Sequence, residues 1–72
     1  MKIDRKKNVI TLGAADTKRW EDSSDKGYAF RANVRDIACS MARATGRAVE
    51  IYASAVKGGW MADQIEPERC RD

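Results

Sequence analysis

The chain has 72 residues, a formal charge of +3, two cysteines and no histidine. That length allows one domain, residues 1–72, whose fold buries about 60% of the surface the unfolded chain exposes; it leaves no room for an enclosed cofactor pocket beside a core. Without histidine the usual general base and the commonest metal ligand are gone, and Cys39 and Cys70 stand too far apart in sequence for a zinc site.

The first seven residues are basic, Met1-Lys2-Ile3-Asp4-Arg5-Lys6-Lys7, and read as an arm. No apolar h-region follows, so they do not form a secretory signal. No apolar run approaches the roughly 20 residues that span a bilayer, which predicts a soluble chain with no membrane partner. A single Cys39–Cys70 bridge would form in an oxidising compartment, but without an export signal both thiols are expected to be free.

Asn8-Val9-Ile10-Thr11-Leu12 is a strand by its β-branched content, and Gly13 closes it. Glu21, Asp22 and Asp25 then form an acidic loop beside the basic first twenty residues. Such asymmetry suits a nucleic-acid or protein partner, although solubilising charge gives the same pattern. Tyr28-Ala29-Phe30-Arg31-Ala32 reads as a second strand after the break at Gly27. A helix there stays open, because Phe30 lies four residues before Val34 on the next stripe.

Val34, Ile37, Ala38, Met41 and Ala42 fall at the spacing of one helical stripe. Asn33 is the expected cap, with Asp36 in capping-box position, and Gly46 supplies the left-handed stop. Residues 48–54 then alternate: Val49, Ile51 and Ala53 to one side, Glu50, Tyr52 and Ser54 to the other. Lys57-Gly58-Gly59 is a turn signal, residues 60–65 return as the second strand of a hairpin, and Pro67 ends it. Residues 67–72 are a charged tail.

The expected fold is α+β: a small antiparallel sheet with one helix packed on one face, in the order β-β-α-β-β. Its core would hold Ile10 or Val9, Leu12, Phe30, Val34, Ile37, Met41, Val49, Ile51, Met61 and Ile65. One helix cannot cover both faces of the sheet, so the other face is solvated or a contact surface.

No phosphate loop, calcium hand or metal cluster is present in the sequence, so no cofactor and no catalytic residue is expected. The expected role is binding, not catalysis. Tyr52 and Trp60, with Arg31 near them, would make an aromatic-basic patch on the open sheet face, unless the aromatics are a cross-strand pair stabilising the hairpin. Arg35, Arg43 and Arg47 would form a row able to take phosphate or carboxylate, or a solvated helix face.

Phe30-Arg31-Ala32-Asn33-Val34-x-x-Ile37-Ala38-x-x-Met41-Ala42, then Gly46, Val49-x-Ile51 and Gly59-Trp60-x-Ala62, resembles a pattern in small phage-borne anti-CRISPR inhibitor proteins. The likeness covers residues 28–65. It implies stoichiometric inhibition in the cytoplasm of a host bacterium, by docking on a guide-RNA-bound surveillance complex and blocking target-DNA binding. Tyr52, Trp60, Arg31, Arg35, Arg43 and Arg47 would be the contacts. A small nucleic-acid-binding accessory protein is the competing expectation, and a homodimer closed over the open sheet face is a third.

Overall fold

The computed structural model describes residues 1–53 and 59–70. In chain order the elements are β1 (Lys2–Asp4), β2 (Val9–Leu12), α1 (Ala14–Glu21), α2 (Asp25–Thr45), β3 (Val49–Ala53), β4 (Trp60–Ile65) and a 3-10 turn, Pro67–Arg69. Four strands form one sheet in the order β1-β2-β3-β4. The fold is a small α+β domain, as the pattern of residues predicts, but it has two helices where one was expected, and other parts of that expectation change too.

The sheet is mixed. β1–β2 and β3–β4 are antiparallel, whereas β2 and β3 run parallel, with Ile10 beside Ile51 and Leu12 beside Ala53. A parallel pair needs a long crossover, and here α1 and α2 supply it. The basic arm is also structured. Lys2–Asp4 is an edge strand, and the Asp4 carboxylate accepts the backbone N–H groups of Lys6 and Lys7, each at 3.0 Å, to make the turn into β2.

Residues 28–32 are helix, not strand. α2 begins at Asp25, so Asn33 and Asp36 lie inside it and cap nothing. Gly27 does not break the helix; it lets the helix start close to α1. A Cβ there would stand 1.9 Å from the Asp22 carbonyl oxygen, so only glycine fits this corner. Gly46 stops α2 as expected, with φ of 69° and its N–H on the Ala42 carbonyl at 2.8 Å.

The core lies between the helices and one face of the sheet. Ile10, Leu12, Val34, Met41, Val49, Ile51 and Ile65 are buried as expected, with Trp20, Ala38, Ala42 and Ala53 added. Phe30 and Ile37 pack half-buried at its margin. Met61 does not belong to the core and is 44% exposed. A bulge between Ile51 and Tyr52 explains it: Ile51 pairs with Asp63, but Tyr52 pairs with Met61, so Ala62 is the extra residue. The slip moves Met61 to the open face and puts Trp60 opposite Ala53 on the helix side.

The thiols are not free. Cys39 on α2 and Cys70 form a disulfide, with Cα atoms 5.4 Å apart. The turn after Pro67 doubles back onto α2, a proximity that no sequence spacing announces.

Candidate functional site

Among the described residues, two helices cover one face of the sheet and none covers the other. Alternation along the strands and the pairing register bring eight residues to the open side. Lys2, Thr11, Tyr52 and Met61 make one row across all four strands; Asp4, Val9, Glu50 and Gln64 make a second. Val9, Thr11, Glu50 and Tyr52, on the two central strands, are half-buried, while Lys2, Met61 and Gln64 on the edge strands are exposed.

At the centre, the Tyr52 hydroxyl donates to the Glu50 carboxylate at 3.2 Å. Partial burial of the phenol, followed by the negative charge and hydrogen bond of Glu50, raises its pKa above the ordinary 10.0. Tyr52 is therefore a neutral donor held upright on the sheet. Charge among these eight residues consists of Lys2 against Asp4 and Glu50.

The expected partner residues do not form one patch. Tyr52 lies on the open face, and the register separates Trp60 from it by placing Trp60 on the helix side, 38% exposed. Arg31 is a structural clip: its guanidinium donates to the carbonyls of Trp20 at 2.8 Å and Asp22 at 2.7 Å, where the end of α1 presents unpaired acceptors. Arg35 donates to Asp63 at 2.9 Å and lies over the Trp20 ring, 5.1 Å from its centroid. It joins α1, α2 and β4 and is not a free phosphate ligand.

Arg43 and Arg47 are exposed at the other end of α2, about 18 Å of helix from Arg31 by the usual rise per residue. Arg47 also donates to the Lys6 carbonyl at 3.2 Å. Beside it Asn8, buried in a left-handed conformation (φ 57°), reaches Thr45 at 2.6 Å and the Arg47 carbonyl at 3.3 Å. These contacts tie the β1–β2 turn to the end of α2.

The acidic loop is the corner between the helices. The Asp22 carboxylate accepts the Ser24 N–H at 2.8 Å, and this bond, with the Ser24 side chain, lowers its pKa. A groove of about 360 Å³ opens there, lined by Arg19, Asp22, Lys26, Gly27 and Phe30, with Arg19 lying over the Phe30 ring.

Among the described residues no helix is long and apolar enough to cross a membrane, and no cluster of three metal-ligating side chains occurs. Sequence reasoning missed Met61 and Thr11 as neighbours of Tyr52. Alternation on β3 signalled the side of Tyr52, but only the register across the bulge identifies what stands beside it. The chain matches no protein-family model, no curated protein and no solved structure.

Proposed function

We propose that this is a non-enzymatic binding protein that docks through the open face of its sheet on a protein subunit of a bacterial nucleic-acid-handling complex and blocks it, in the manner of the anti-CRISPR inhibitors its sequence resembles. The cytoplasm of a host bacterium is the compartment this reading assigns. The observation that carries it is the uncovered row of Lys2, Thr11, Tyr52 and Met61 across four hydrogen-bonded strands. Tyrosine and methionine are enriched in the cores of interfaces, and a sheet holds them rigid at low entropic cost.

The charge on this face favours a protein over a nucleic-acid backbone. Asp4 and Glu50 outnumber Lys2, and the two arginines nearest the middle of the chain's helix, Arg31 and Arg35, are engaged within the fold. A duplex or single strand laid along this face would meet carboxylates where it needs cations. Arg43 and Arg47, both exposed, would meet a partner large enough to reach the end of α2.

Binding to a purified surveillance ribonucleoprotein, measured by surface resonance with the melting temperature of each variant, tests the reading. Tyr52→Ala should weaken binding by about 2 kcal/mol or more while the fold survives. Absence of binding by the wild-type chain, or equal binding by Tyr52→Ala, overturns it. Binding to bare DNA or RNA that falls steeply with added salt would transfer the function to the nucleic-acid reading. A homodimer on a sizing column that Met61→Lys converts to monomer would assign the face to a second copy instead.

A further inference from the structure

Among the described residues, the carboxyl-terminal turn is held to the domain by the Cys39–Cys70 bond, the Arg69 side chain and the packing of partly buried Cys70 against the core. None of the residues Pro67–Arg69 is buried, and the turn closes on two backbone bonds, Arg69 N–H to Glu66 and Cys70 N–H to Pro67, at 2.9 and 3.1 Å. So little burial gives a segment low stability of its own. Cys70, which follows directly, is bonded to Cys39, and both cysteines are only partly buried.

What the turn carries is Arg69. Its guanidinium donates to the Gln64 carbonyl and, at 3.2 Å, to the Asp63 carboxylate. Asp63 in turn accepts the Gln64 N–H at 2.8 Å. β4 is the last strand of the sheet, so the N–H and C=O groups of Gln64 that these side chains occupy belong to its unpaired outer edge. Occupying such groups is how a sheet edge is closed to strand addition. Arg69 is about half exposed, and an ion pair in that setting is too weak to hold the turn unaided.

We propose that the Cys39–Cys70 bond is a redox latch: oxidised, it holds Arg69 against the outer edge of β4, and reduced, it releases the turn and opens that edge. The reductant is a dithiol. One of its thiolates attacks a sulfur of the cystine, and the other cysteine leaves as thiolate and takes a proton. The second thiol then attacks the mixed disulfide, closes a disulfide in the reductant and frees the remaining cysteine, which is protonated in turn. Two electrons pass from the dithiol to the cystine, and a proton rests on each cysteine sulfur. The latch concerns the edge of the sheet and stands independently of what its open face binds.

Amide hydrogen exchange followed by NMR on the full chain, oxidised and after dithiothreitol, is the test. Protection at Arg69 and Cys70 should fall about tenfold or more on reduction, while Val49 and Ile51 keep theirs, as expected for local opening. Cys39→Ser should show the reduced pattern without any reductant. Equal protection of the turn in both states overturns the latch. So does loss of protection at Ile51 together with Arg69, which would make the disulfide a staple of the whole domain.

Discussion

Ile51 and Tyr52 are consecutive residues of β3 in opposite environments. Ile51 is fully buried under the helices, between Ile10 on β2 and Asp63 on β4. Tyr52 faces the other way, between Thr11 and Met61, with its hydroxyl on Glu50. The pleat alone produces this division, because successive side chains leave a strand on opposite sides. The covered face therefore carries stability and the open face is left to be specified by what it meets. Changes on the two faces should be separable.

The sharpest break of that comparison is a pair of adjacent substitutions. Ile51→Ala leaves a cavity against α2 and should cost about 2–5 kcal/mol, most of what a domain this small has. Tyr52→Ala should stay within about 1 kcal/mol, because it removes a half-buried side chain from the solvent side of the sheet and breaks one half-buried hydrogen bond, to Glu50. Urea midpoints of the two variants decide it. Comparable losses would mean that the open face is part of the folded core.

A middle-sized effect belongs to Asp63, which sits on the covered side opposite Ile51. Its carboxylate takes Arg35, Arg69 and the Gln64 N–H together. Burial pushes its pKa up, but the hydrogen bonds from Arg35 and Gln64 and the bond and charge of Arg69 outweigh it, and the net shift is below 3.8. Asp63→Asn should cost about 1–3 kcal/mol at neutral pH, as for hydrogen bonds to a charged group. Since the ionised form is the one the fold favours, its contribution is complete above pH 3.8 and lost as pH falls through the lower folded value. Wild-type stability should drop more steeply than that of Asp63→Asn below that point. Parallel declines would show that Asp63 contributes nothing ionic.

How much of this was readable in the sequence follows the range of the physics involved. The stripe Val34, Ala38, Met41 and Ala42, the stop at Gly46 and the alternation of β3 are local patterns, and each appears where the periodicity places it. The start of α2 was misplaced because Gly27 reads as a breaker, when its role is a close approach to the Asp22 carbonyl across the corner. α1 was missed because seven of its eight residues are polar or alanine; its hold on the core is Trp20 and Thr17, whose hydroxyl donates to the Gly13 carbonyl at 2.8 Å. The disulfide and the parallel pairing depend on tertiary proximity. The bulge had the widest consequence, since one extra residue separated Trp60 from Tyr52 and brought Met61 in its place. The expected turn at Lys57-Gly58 lies outside the described residues.

The smallest expected effect concerns the Tyr52 hydroxyl and probes the open face without unfolding anything. In a Tyr28→Phe background Tyr52 is the only tyrosine, so the absorbance of its phenolate reports its ionisation alone. Its midpoint should lie above 10.0, first because the phenol is partly desolvated and then because Glu50 opposes a second negative charge. Glu50→Gln removes the charge and leaves the desolvation, so the midpoint should fall part of the way back. The fold favours the neutral phenol, so its contribution to stability is present below pH 10.0 and disappears as pH rises through the folded value. A midpoint that Glu50→Gln leaves unmoved would place the cause in burial alone and remove Glu50 from the site. A partner docked on this face should raise the midpoint further, because covering the hydroxyl deepens the desolvation that already dominates it. A bound complex in which Tyr52 titrates as it does in the free chain would mean that the partner sits elsewhere.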